Sequence, residues 1–298
     1  MTVTELNTLV QLLRERGRPE NPTVPQMRER FKLLGQKFPA PADAVVEPVV
    51  VGEATGEWIS APGVDRSRVV LHLHGGGYVL GDGLVTHRNF AYNLSRAADA
   101  RVLLLDYRLA PEFPFPAAVE DATAACRHIL AEGIEPRRLV ISGDSAGGGL
   151  AVSTMVVLRD DGDPLPAGAI CISPWTDMEG TGETMQSKLT EDPMITPEAI
   201  AWFAELYLAG ADPRSPLATP LNADLAGLPP LLIQVGSAEC LLDDARRLAA
   251  RAEQAGVDVR LEVADRMIHV WHLFAPMLSE GRDAIERAGS FVRERTGG

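Results

Sequence analysis

Five short stretches of this chain are almost wholly apolar: RVVLHLH (68–74), RVLLLDY (101–107), RLVISG (138–143), GAICIS (168–173) and PLLIQVG (230–236). A strand with one wet face alternates apolar and polar residues. Continuous runs instead suit strands covered on both faces, as in a parallel sheet. VVEPVVVG (45–52), GEWISA (56–61) and DVRLEVA (258–264) complete eight candidate strands. Helical patterns fall between them at 87–98, 117–133, 146–160, 241–255 and 281–296, the last placing Ile285, Ala288 and Val292 on one face. Strands that alternate with helices predict a doubly wound α/β fold.

Two regions break that rhythm. Residues 1–44 carry two amphipathic patterns, Leu6, Leu9, Val10 and Leu13, then Met27, Phe31 and Leu34. Residues 176–229 separate two strands and contain a well-signalled helix, with Thr196 as N-cap and Pro197 at the first helical position. A long connection in a compact domain is often a functional lid. The expected organisation is a helical cap from 1–44 and 176–215 over a catalytic domain of 45–175 and 216–298.

The 298 residues suit one large α/β domain with an insertion, and 46% hydrophobic residues supply its core. A formal net charge of −13 repels phosphate backbones and anionic lipid, which argues against nucleic-acid and membrane partners. No apolar run approaches a membrane span, and the N-terminus lacks the pattern of a signal peptide. Cys126, Cys171 and Cys240 have no metal-ligand spacing and read as small buried hydrophobes of a reduced, cytoplasmic protein, with no metal expected.

Within this frame GDSAG (143–147) gains meaning. It follows the strand RLVIS and opens the small-residue helix AGGGLAVSTMVVL. A strand, a tight glycine turn and a helix present a serine at the helix N-terminus, the setting of a nucleophile elbow. Ser145 then needs a base, and the base an orienting acid. In a parallel sheet functional residues gather at the carboxyl ends of strands. After PLLIQVG come Glu239, Asp243 and Asp244; after DVRLEVA come Asp265, His269 and His272. The order serine, acid, histidine is that of α/β-hydrolases. Glu239 and His269 are the first choices, Asp243 and His272 the alternatives. Gly75, Gly76 and Gly77 follow another strand, and their N–H groups, with that of Ala146, are candidate donors to an oxyanion. His74 is expected to brace that loop. GDSAG is also close to the GDSGG of chymotrypsin-like proteases, with His72 and Asp106 upstream, but those enzymes are antiparallel β-barrels with few helices.

HGGGYVLGD (74–82), DYRLAPEFPFPAAVED (106–121), GDSAGGGLA (143–151), DPMIT (192–196), DPRSPLATPL (212–221) and MIHVWHLF (267–274) together resemble the hormone-sensitive-lipase-like bacterial carboxylesterases. The resemblance covers roughly residues 45–290. It implies an α/β-hydrolase fold with an eight-stranded, mostly parallel sheet and a helical cap, and cofactor-free hydrolysis of short acyl esters. It matches Ser145 to the nucleophile, His269 to the base, and Gly76, Gly77 and Ala146 to the oxyanion donors. Many members carry aspartate as the acid; here E-C-L-L-D (239–243) puts Glu239 in that place. Tyr78, Trp175, Trp202, Phe203, Tyr207 and Val270 are the expected pocket walls. The same resemblance admits a homodimer, with oligomeric state left open, and lactones and N-acetyl amides as alternative substrates. A non-catalytic small-molecule receptor on this fold would dispense with the histidine that this chain retains.

Overall fold

The structure, a computed structural model, describes residues 3–17, 22–81 and 83–297. Helices α1 (Val3–Glu15) and α2 (Val24–Gly35) lead into a hairpin of β1 (Val45–Val51) and β2 (Ala54–Ser60). Next come β3 (Val69–Leu73), the short α3 (Gly83–Thr86), α4 (Arg88–Ala98), β4 (Arg101–Asp106) and α5 (Ala117–Ala131). Strand β5 (Leu139–Asp144) runs directly into α6 (Ala146–Asp160), followed by β6 (Gly168–Ile172). The long connection holds α7 (Thr184–Ser187) and α8 (Pro197–Leu208). It returns through β7 (Leu231–Gly236), α9 (Leu242–Gln254), β8 (Val259–Ala264) and α10 (Ser279–Thr296).

The strands form one eight-stranded sheet in the order β1-β2-β4-β3-β5-β6-β7-β8. The β1–β2 and β2–β4 pairings are antiparallel and the remainder parallel. The apolar runs are explained by burial on two faces. In β3, β4 and β5, the side chains of Val69, Leu71, Leu103, Leu105, Leu139 and Ile141 pack under α5 and α6, while Val70, Val102, Leu104 and Val140 pack under α4 and α10. Successive residues thus feed opposite layers, as the period of a strand requires. Parallel register sets Leu73 beside Gly143, and Ile172 beside Asp144, so the carboxyl ends of β3, β5 and β6 meet at one rim.

The helices outside the sheet layers contact that rim. On α1, Leu6 and Leu9 are buried against Met267, Ile268, Trp271 and Phe274. On α2, Arg28 donates to the carbonyls of Val79 and Ala110, both at 2.9 Å, and pairs with Glu112 at 2.7 Å. Thr196 caps α8 through the N–H of Ala199, and Ile200, Phe203, Ala204 and Tyr207 form its buried face. Position 82 of the HGGG-containing stretch, and 1–2 and 18–21 of the N-terminal region, lie outside the described residues.

Candidate active site

Ser145 is the single residue between β5 and α6. Its backbone sits at φ 54°, ψ −120°, a conformation that non-glycine residues rarely adopt and that persists only when its surroundings enforce it. The enforcement is visible: its N–H donates to Ile172 O at 2.8 Å, and its carbonyl accepts from Trp175 N at 2.9 Å. A side chain at Gly147 would run into the carbonyl of Leu73, so glycine there lets α6 press against β3. The serine oxygen is left at the N-terminus of a fifteen-residue helix, where the dipole favours negative charge.

Two side chains far from this serine in sequence line up behind it. His269 Nε2 lies 3.0 Å from Ser145 Oγ, and His269 Nδ1 lies 2.9 Å from Glu239 Oε2. The other carboxylate oxygen, Oε1, accepts from Gly236 N at 2.6 Å and Ser173 Oγ at 2.7 Å. With donors on both its oxygens, Glu239 draws the imidazole proton to Nδ1 and leaves a lone pair on Nε2 facing the serine. Burial raises the Glu239 pKa, against the pull of the His269 bond and charge, and the net is upward. Burial alone lowers that of His269, but the bond and charge of Glu239 outweigh it and the imidazole pKa ends above its ordinary value.

The glycine loop after β3 runs beside the elbow. Gly76 and Gly77 have φ of 124° and 63°. Among the described residues the loop is closed by Val79 N and Leu80 N donating to Gly76 O, and the N–H groups of Gly76 and Gly77 donate to no backbone carbonyl. The N–H of Ala146, at the first position of α6, has no partner within its helix. His74 bonds Gly75 O through Nδ1 at 2.7 Å and stacks on Tyr107 at 4.4 Å, and burial pushes its pKa down to about 3. It braces the loop as a neutral ring.

One group of residues escaped the sequence reading. Asp144, the second letter of GDSAG, is buried and accepts from Gly75 N at 3.1 Å. His72 Nε2 and His87 Nε2 approach its Oδ1 at 3.3 and 3.1 Å. Despite a burial cost that would raise it, the two imidazoles hold its pKa far below the usual carboxylate range. The ligand atoms of His72, His87 and Asp144 lie within 4.8 Å of one another, a spacing that a metal ion also accepts. The Nδ1 atoms rest on Ser142 Oγ and Thr86 Oγ1, and both Nε2 atoms face the carboxylate, that of His87 within hydrogen-bonding geometry. The signal was present in the sequence, since a charge inside a buried strand–helix turn requires partners.

The alternatives sit elsewhere. His272 Nε2 bonds Gln234 Oε1 at 2.9 Å, and burial lowers its pKa to about 3. Asp243 accepts from Thr184 N at 3.0 Å at the start of α9. Among the aromatic residues, Tyr78 and Tyr207 stack at 3.8 Å, with Trp175 5.9 Å from Tyr78. Phe203 lies over Gly77, where an added Cβ would come within 2.5 Å of its ring, and Trp202 adjoins it at 5.0 Å. Val270 packs in the layer of α4 and α10.

The geometry is that of a serine hydrolase on an α/β sheet, and residues 70–273 match the α/β-hydrolase fold family. The chain is 51% identical over 249 residues to an acetyl-hydrolase of Streptomyces hygroscopicus, covering 84% of this chain and 83% of that one. It is 34% identical to an esterase of Acinetobacter venetianus, over 89% and 88% of the two chains. A crystal structure of an esterase from the bacterial hormone-sensitive lipase family superposes with a TM-score of 0.97 at 50% identity over all of both chains. An esterase crystal soaked with p-nitrophenyl butyrate matches at 0.95 and 49% identity over 99% of each chain. The chain belongs to the α/β-hydrolase family and, within it, to the bacterial hormone-sensitive-lipase esterases. Its class is that of the carboxylic ester hydrolases.

Proposed function

We propose that this protein hydrolyses short- to medium-chain acyl esters through an acyl-enzyme on Ser145, with His269 as the base and Glu239 as the orienting acid. The observation that carries the reading is the pair of contacts on one imidazole, 3.0 Å to Ser145 Oγ and 2.9 Å to Glu239 Oε2. Ser145 Oγ attacks the ester carbonyl carbon as its proton passes to His269 Nε2. The N–H groups of Gly76, Gly77 and Ala146 receive the oxyanion. The C–O bond then breaks, His269 returns the proton to the leaving alcohol, and water reverses the sequence to release the acid. Phe203 over Gly77 and the buried stack of Tyr78, Tyr207 and Trp175 support a preference for small acyl groups, as does the likeness to a protein named an acetyl-hydrolase. The helices of 1–44 and 176–215 act as the cap, and the three free cysteines suit a reduced cytoplasm.

Ser145→Ala is expected to cut turnover of p-nitrophenyl butyrate by roughly 10⁴-fold or more, with an unchanged circular dichroism spectrum. Full activity in that variant rejects the assignment. Comparing esters, lactones and acetanilides of matched acyl length identifies the substrate class. Labelling by a fluorophosphonate excludes a purely receptive role.

A further inference from the structure

We propose that Ser173 is a positioning residue that fixes Glu239 and the His269 loop to each other through one hydroxyl. The inference rests on the Ser145–His269–Glu239 reading above and goes beyond it.

Ser173 follows the last residue of β6 and is fully buried. Its hydroxyl donates to Glu239 Oε1 at 2.7 Å and accepts from the N–H of Val270, the residue after His269, at 3.1 Å. One oxygen thus ties the acid, delivered by the β7 end, to the loop that carries the base after β8. Its own backbone is anchored by Ser173 N donating to Gln234 O at 2.7 Å. Both tied residues are held in unfavourable conformations: Ser173 has φ 45° and Val270 φ 48°. For a serine and a valine, positive φ is a strained backbone conformation that persists only where the surroundings enforce it. These departures from ordinary backbone meet at one hydrogen bond, which indicates that the bond has a use.

The chemical consequence follows from which oxygen is occupied. Ser173 and Gly236 N take Oε1 and leave Oε2 aimed at His269 Nδ1. Without the hydroxyl, Oε1 keeps one donor, the carboxylate is freer to rotate, and its charge is less well dispersed. A less solvated carboxylate attracts the imidazolium proton more strongly, so His269 would remain protonated to a higher pH. The charged groups facing the pair, Asp192 and Asp144, act in the same direction and are unchanged by the substitution.

The test uses Ser173→Gly and Ser173→Ala in the full chain. Glycine adopts φ 45° without strain, so the first variant removes the hydroxyl and relaxes the backbone. With p-nitrophenyl butyrate, both variants are expected to lose kcat by roughly 10- to 100-fold, the range for a hydrogen bond to a charged group. KM should move by less than about twofold, and the acid limb of the kcat/KM profile should shift to higher pH. A Ser173→Gly enzyme with parental kcat and an unshifted limb overturns the proposal, because the residue then matters only for its backbone. Ser145→Ala is measured alongside. If that variant keeps full activity, the nucleophile reading fails; if it is inactive while Ser173→Gly is unaffected, only the positioning role fails.

Discussion

Glu239 has no exposure to solvent, and a buried carboxylate is tolerable only where donors surround it. His269 Nδ1, Ser173 Oγ and Gly236 N supply them. The charge of Glu239 raises the His269 pKa, and in the proposed mechanism the imidazole accepts a proton only when neutral. Activity should therefore be lost on acidification at a higher pH than an ordinary imidazole would give. Glu239→Gln removes that charge. Its acid limb should move to lower pH, while kcat falls by about 10³- to 10⁴-fold because the amide no longer fixes the tautomer. A pH–rate profile of this variant checks both signs, and an unmoved limb means that Glu239 does not set the imidazole. At this scale the sequence was partly legible. The three residues of the proposed triad, Ser145, Glu239 and His269, which the structure brings together, could be picked out by motif and by position after strands. Ser173 did not, although it too follows a strand end, because a lone serine beside Pro174 reads as a turn. Asp144 is not singled out by GDSAG itself, although its charge in a buried turn demands partners such as His72 and His87.

The elements were the most legible level, because two-sided burial and helical periodicity are written directly in residue spacing. Strands β3 to β7 fall where continuous apolar runs predict them. Strands β1 and β2 also fall where predicted, but their antiparallel pairing was not legible, because a strand's own pattern does not say which way it runs beside its neighbour. Nor did spacing reveal that α1 packs on the loop bearing His269, since amphipathicity says that a helix has a partner and not which one. That packing has a measurable consequence. Leu9 is buried among residues that include Met267 and Ile268. Leu9→Ala should weaken docking of α1 by about 2–4 kcal/mol. Because a terminal helix can detach locally, the effect should appear as faster proteolysis within α1 and a several-fold lower kcat. Unchanged cleavage and kinetics would show that the loop holds its histidine without α1.

Across the whole molecule, no described helix is long and apolar enough to cross a membrane. Its three cysteines are free and buried in the packed layers, and burial pushes the thiols of Cys126 and Cys171 up to about 12. The native protein should thus react with almost no Ellman reagent at pH 8 and keep its esterase activity through the exposure. All three thiols should become reactive together in guanidinium, and their appearance should track the loss of circular dichroism. A thiol that titrates early would locate a subdomain that opens before the rest. The sequence pointed to burial here through residue type alone; the shared layers behind it depend on the strand order, which composition does not encode.

Three of the backbone contortions described above, at Ser145, Ser173 and Val270, crowd around the proposed reaction centre. Glycine relieves the backbone at each position, but at Ser145 it also removes the proposed nucleophile and at Ser173 a donor to Glu239. Variants selected there for heat tolerance would work more slowly than the parent or not at all. A laboratory lineage bred for durability alone should drift toward a sturdy, idle shell.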